Sequence, residues 1–220
     1  MVKDTELLTP TEAAVVAAVS VRDINRVIDE KILPDRLYTL ERGRRLRVLA
    51  CPMIGFYFRA AKELTAEERT LVIHRLCSRM GAGAPHMTGW RGWLKAGSPD
   101  WTIHHDFLTI DLSGFAAEAD ARHDKLAEAR EMVEEAPEIL SGTPVIRGTR
   151  IPVHDVAASV AAGLSRARIH AAWPALDERM IELASIYAEA SPPRGRPRRV
   201  TPPADARLHS ERRVARRRLA

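Results

Sequence analysis

At 220 residues and 45% hydrophobic content, the chain has apolar material for one or two small globular cores and is not disordered throughout. No apolar run approaches the ~18 residues of a membrane helix, and the first residues are polar and acidic where a secretory signal is basic and then apolar, so a cytoplasmic, soluble chain is expected. The net charge of +5 conceals an asymmetry: ten arginines against Asp205 and Glu211 put +8 on residues 191–220, which leaves −3 on residues 1–190.

The first elements carry their own start signals. Thr9-Pro10-Thr11-Glu12 is a capping box with proline at the first helical position, and an Ala/Val helix follows to about Val19. Ser20-Val21-Arg22-Asp23 repeats the device and opens a second helix to about Lys31. Its spacing turns Val21, Ile24, Val27 and Ile28 inward and Arg22, Asn25, Arg26 and Asp29 outward. Arg36 to Leu40 and Arg44 to Leu49 then read as a hairpin around Glu41-Arg42-Gly43. Two short capped helices joined tightly and followed by an arginine-bearing hairpin are loosely similar to the winged helix-turn-helix of MerR and excisionase proteins. On that reading Arg22, Asn25 and Arg26 face the DNA groove, because Arg and Asn chemistry reads guanine and adenine edges, and Arg42, Arg44 and Arg45 serve the wing or the phosphates. The bland alternative is a helical hairpin whose Arg22 and Arg26 form a solvated face.

Residues 51–80 are expected to be helical, with a break near Leu64 and a further capping box at Thr65-Ala66-Glu67-Glu68. Trp90, Trp93 and Trp101 lie in a Gly/Pro-bearing stretch, as an interface anchor or a satellite core beneath a loop. Phe107 to Leu112 alternates like a strand, and Ser113 opens a charged helix to about Ala136, with Phe115, Ala119, Leu126 and Val133 on one stripe. The acids of residues 118–138 fall at helical spacings from Arg122, Lys125 and Arg130, as on a solvated face.

His74 and Cys77, with His104-His105-Asp106, are the available metal-ligand types, but no zinc spacing binds the two groups together. His74 is expected to be a partly buried core histidine. Cys51 and Cys77 make no disulfide framework. No phosphate loop follows a strand and no nucleophile elbow is present. The chain is therefore read as no enzyme, with no cofactor and no resident metal.

In Gly142-Thr143-Pro144-Val145-Ile146-Arg147-Gly148-Thr149-Arg150-Ile151-Pro152-Val153, two β-branched runs flank a turn in which Gly148 can supply positive φ, and a small hairpin is expected. Pro144 and Pro152 lack an N–H and exclude a central position in a large sheet, so the ribbon must pack on helices. Three follow: residues 154–162 stopped by Gly163, 166–172 capped by Ser165, and one capped by Asp177 that carries Met180, Ile181, Ala184 and Tyr187. This string, with Gly163-Leu164-Ser165, Trp173-Pro174-Ala175-Leu176 and Ile186-Tyr187-Ala188, resembles a family first catalogued as a domain of unknown function and associated with VapB-type antitoxins, over residues 137–190. The resemblance implies a DNA-binding antitoxin beside a PIN-type ribonuclease toxin. Gly148, Thr149 and Pro152 are then structural turn positions, and Arg147 and Arg150 either touch phosphate or partner or keep the turn soluble. The acidity of Asp177, Glu178, Glu182 and Glu189 suits a dimer or scaffold role better than groove reading.

Five prolines between 191 and 203 enforce extended backbone, and the segment has almost no apolar surface to offset ordering. A tail disordered alone is expected, with a helix-compatible stretch over 204–219. Arg194, Arg196, Arg198 and Arg199, then Arg212, Arg213, Arg216 and Arg217, are the expected toxin contacts, since guanidinium forks pair with clustered carboxylates. A solubility tail or nucleic-acid arm is the plainer alternative.

The fold class expected is mainly α with small β-hairpins: a winged helix-turn-helix over 1–62, a middle helical and strand region over 63–136, a hairpin-and-three-helix module over 137–190, and the tail over 191–220. The function expected is an autoregulating antitoxin, a homodimer matched to a palindromic operator. A free-standing regulator without a toxin is the first alternative, and a metal-dependent enzyme using His74, Cys77, His104, His105 and Asp106 the second.

Overall fold

Local capping decides where the first helices begin. In a computed structural model, which describes residues 7–82, 100–105 and 108–193, the Thr9 hydroxyl accepts from the Glu12 amide and the Glu12 carboxylate accepts from the Thr9 amide at 2.7 Å. That exchange opens α1, Pro10–Ala17, which stops at Ala18 in the left-handed region with φ 53°. Ser20 and Asp23 repeat the exchange and open α2, Val21–Asp29, which buries Ile24, Val27 and Ile28. Val21, expected inward, is 38% exposed; as the first helical residue it projects beyond the end of the core contact. The helix also ends two residues before the expected Lys31, which takes a left-handed φ of 52°.

The hairpin expected as a wing is present. Strands β2, Tyr38–Thr39, and β3, Arg45–Arg47, pair antiparallel around a loop that Gly43 turns at φ +87°. A third strand, β1, Leu7–Leu8, joins the far side of β3, so the sheet order is β1-β3-β2. Strand β1 is too short for its alternation to be read, and Arg36 belongs to a 3-10 turn over Asp35–Leu37 where strand was expected.

Helices α3, Ala50–Arg59, and α4, Ala66–Ala82, are separated near Leu64 as expected, with Thr65 and Glu68 exchanging the predicted capping hydrogen bonds. The hairpin β4, Thr102–His105, with β5, Leu108–Asp111, covers this part, and Trp101 is buried in the main apolar cluster with α1 to α4, where an interface anchor or a satellite core was expected. Trp90, Trp93, Asp106, Phe107 and all tail arginines lie outside the described residues.

Helix α5, Ser113–Met132, is shared by two apolar clusters. Ala116, Ala119 and Leu126 pack into the cluster that holds α1 to α4, while Ala129 nearer its end enters the second. A solvated charged face was expected over residues 118–138. Glu118–Arg122 is such a local pair, while Arg59–Glu118, Lys125–Glu182, Arg179–Glu128 and Arg130–Glu12 tie α5 to other elements. A helix with neighbours on several sides uses its charges at those borders. The helix ends at Met132, before the expected Ala136, because Val133 turns extended into β6, Val133–Glu134.

The second cluster belongs to the module around Gly148. Strand β7, Val145–Ile146, pairs antiparallel with β6, not with an Ile151 to Val153 strand as the sequence suggests. The turn itself is as expected, with Gly148 at φ +73° and the Thr149 amide donating to the Ile146 carbonyl at 3.0 Å. The return arm gives one bridge, Val145 to Pro152, and a 2.9 Å bond from the Ile146 amide to the Ile151 carbonyl. Val153 already starts the next helix. Helices α6, Val153–Ala161, α7, Arg166–Ala172, and α8, Glu178–Ala190, follow with the predicted Gly163 stop at φ +75° and the predicted Ser165 and Asp177 caps. Helix α8 packs on α6, α5 and α1, so the module lies directly against the first helix of the chain. Among the described residues no helix is long and apolar enough to cross a membrane.

Candidate nucleic-acid interface

Residues 1–190 carry a net −3, yet the stretch 20–47 holds eight Arg or Lys against five Asp or Glu. The excess lies on the β2–β3 hairpin and its flanks, since α2 itself balances Arg22 and Arg26 against Asp23 and Asp29, and the hairpin lies against α2. On α2 the residues Arg22, Asn25, Arg26 and Asp29 recur at helical spacing on one face. Arg22 and Arg26 are exposed and Asn25 is half-buried.

The structure brings Asn25 and the wing into direct contact. The Arg44 Nη1 donates to Asn25 Oδ1 at 2.9 Å and to Asp29 Oδ2 at 3.1 Å, while its Nη2 donates to Asp29 Oδ1 at 2.7 Å. Asn25 Nδ2 in turn donates to the Val21 carbonyl at 3.0 Å. Arg26 Nε pairs with Glu30 at 2.8 Å, and that bond raises the pKa of the guanidinium further. Arg45 is half-buried and returns a hydrogen bond to the Arg44 carbonyl, while Arg42 is exposed at the loop. Arg36 and Arg47, not among the predicted contacts, are exposed and linked by a 2.8 Å bond from Arg47 Nε to the Arg36 carbonyl. Asp29, which holds Arg44 through two hydrogen bonds, was not among the predicted site residues either. Its signal is in the sequence, four residues after Asn25 on the same face, but its partner Arg44 is fifteen residues further on.

The remaining candidates separate. Arg147 donates from Nε to the Glu131 carbonyl at 2.9 Å, and its amide donates to the Met132 carbonyl at 2.8 Å, so it closes the C-terminal end of α5. Arg150 is exposed. Thr149 Oγ1 donates to the Ile146 carbonyl at 2.7 Å and accepts from the Ile151 amide at 3.1 Å, and Pro152 stands immediately before α6, so the three turn positions carry local structure. His74 is exposed, against the expectation of a partly buried histidine, because its face of α4 points away from the cluster that takes Ile73 and Leu76. Cys77 is buried with Sγ 3.5 Å from Met53 Sδ, and burial pushes its thiol pKa up. His104 Nδ1 lies 3.1 Å from Thr109 Oγ1. Among the described residues no three His, Cys, Asp or Glu are grouped to hold a metal ion.

Residues 133–188 match the family model described as a protein of unknown function (DUF433). The match begins at β6, the strand that β7 pairs with. The chain is also similar to the uncharacterized protein y4eO of Sinorhizobium fredii (strain NBRC 101917 / NGR234), with 53% identity over 215 residues, which span 97% of this chain and 95% of that protein. No solved structure matches the chain. Near-complete coverage at that identity extends well past the DUF433 segment to α2 and the wing, and the chain belongs to the same family as y4eO, with a DUF433 domain at residues 133–188.

Proposed function

We propose that the protein is a sequence-specific DNA-binding autoregulator and the antitoxin of a PIN-type ribonuclease toxin. The observation that carries the DNA half is the pairing of a capped helix, α2, which exposes Arg22 and Arg26, with an arginine-bearing wing held against it by Arg44. A helix of this size enters the major groove, and a two-stranded wing beside it meets the flanking phosphates. The antitoxin half is supported by the resemblance of the Gly142 to Val153 string and its following helices to VapB-type antitoxins, and by the charge of the tail. PIN-type cleavage needs carboxylates gathered around a divalent cation, and arginines entering such a cleft pair with those carboxylates and displace the metal. Helix α8 is packed between α6, α5 and α1, which agrees with a scaffold role for its acids.

Co-expression tests this reading. If the neighbouring reading frame encodes a small protein with three or four scattered acidic residues, that protein produced with the full chain should leave growth and RNA intact. Produced with residues 1–190 alone it should arrest growth and cleave RNA, while operator binding by that truncated form persists. Full protection by the truncated form would overturn the tail mechanism, and absence of any toxic neighbour would leave a free-standing regulator.

A further inference from the structure

The Arg44 side chain is spent on protein acceptors, which is unexpected for a wing arginine that contacts phosphate. Three hydrogen bonds run from its guanidinium to α2, two of them as a parallel fork onto Asp29. The same contact occupies Asn25 Oδ1, and the Val21 carbonyl occupies Asn25 Nδ2, so the carboxamide is held in one orientation. Asp29 itself sits on the face that carries Arg22 and Arg26 and is 56% exposed at its side chain. A carboxylate there repels a phosphate backbone, so simple electrostatics gives it no reason to be present.

We propose that Asp29 and Arg44 are positioning residues: they form a strut that fixes the spacing between wing and reading helix and presents Asn25 in a single orientation. The proposal rests on the DNA-binding reading above. An exposed ion pair adds little to folding stability, so the strut acts on geometry more than on the fold. A bidentate fork, unlike a point charge, specifies both distance and angle, and lysine cannot replace it. Base discrimination depends on such placement, because a misplaced side chain loses its pair of hydrogen bonds to a base edge.

The test uses the full chain and two duplexes: one enriched by the wild-type protein from a random-sequence library, and the same duplex with its bases scrambled. Asp29→Asn removes a negative charge and should nevertheless weaken binding to the enriched duplex by about tenfold, with binding to the scrambled duplex unchanged or tighter. Arg44→Lys keeps the charge and should lower the enriched-to-scrambled ratio similarly, while Asp29→Glu should retain most of it. The double variant Asp29→Asn with Arg44→Lys should be no worse than the weaker single, since both break one contact. Melting temperatures near wild type would show that the fold is kept. If Asp29→Asn tightened both duplexes alike, or Arg44→Lys kept the full ratio, Asp29 would be a bystander and Arg44 a phosphate contact. A wild-type chain that enriches no sequence would instead remove the DNA reading itself.

Discussion

Glu12 does two jobs with one carboxylate. It closes the capping box of α1 through the Thr9 amide, and it pairs with Arg130 of α5 at 2.9 Å while only 14% of its side chain is exposed. Burial alone would raise its pKa, but the Thr9 amide and the Arg130 guanidinium together outweigh that and hold it below the ordinary value of 4.5. A group whose pKa is depressed by folding stabilises the native state above its unfolded value, and that contribution is lost as pH falls through the folded value. Glu12→Gln should therefore cost about 1–2 kcal/mol near neutral pH and weaken the loss of stability on acidification below 4.5. Urea unfolding of both forms at neutral pH and near pH 4 checks this, and parallel losses in the two forms would exclude the assignment. Half of this residue's role was legible: Thr9 and Glu12 are three apart, and a capping box is a local pattern. The pairing with Arg130 crosses 118 positions and depends on how α5 lies over α1, which no local pattern encodes.

Gly148 marks the boundary between what a turn encodes and what its surroundings decide. The positive φ was readable because only a tight reversal fits between Val145-Ile146 and Ile151. An added Cβ there meets nothing within 4 Å, so the cost of a side chain is conformational and not steric against neighbours. Gly148→Val should destabilise the protein by about 1–3 kcal/mol, and Gly148→Asn by less, since asparagine tolerates the left-handed region. Thermal melting of the two variants gives the order, and equal melting with wild type would remove the turn assignment. The partner of β7 was not readable. Val133-Glu134 looks like the end of a helix by composition, and it becomes strand because Arg147 closes α5 one turn earlier than helical periodicity suggests. The capped helices α1, α2, α7 and α8 were legible for the opposite reason, since Thr9, Ser20, Ser165 and Asp177 each satisfy an amide within three residues.

Across the whole molecule, α5 and α8 join the α2 and wing region to the DUF433 domain through shared apolar clusters and the Glu12–Arg130 pair. The sequence suggests successive modules because caps and turns punctuate it at those places, while nothing inside α5 marks where one apolar cluster gives way to the other. The candidate site was legible in its residue types, Arg22, Asn25, Arg26 and the wing arginines, but the acid that organises them, Asp29, was read only as an outward charge. On the DNA-binding reading, this surface reads base sequence. Its most direct measurement is selection of duplexes from a random-sequence library by the full chain, followed by binding to the enriched duplex across a salt series. A common, two-fold symmetric base pattern is expected, bound about a thousandfold more tightly than unrelated duplex at matched salt. Recovery of unenriched sequence, with equal affinity for every duplex and a salt slope that accounts for all binding, would contradict it.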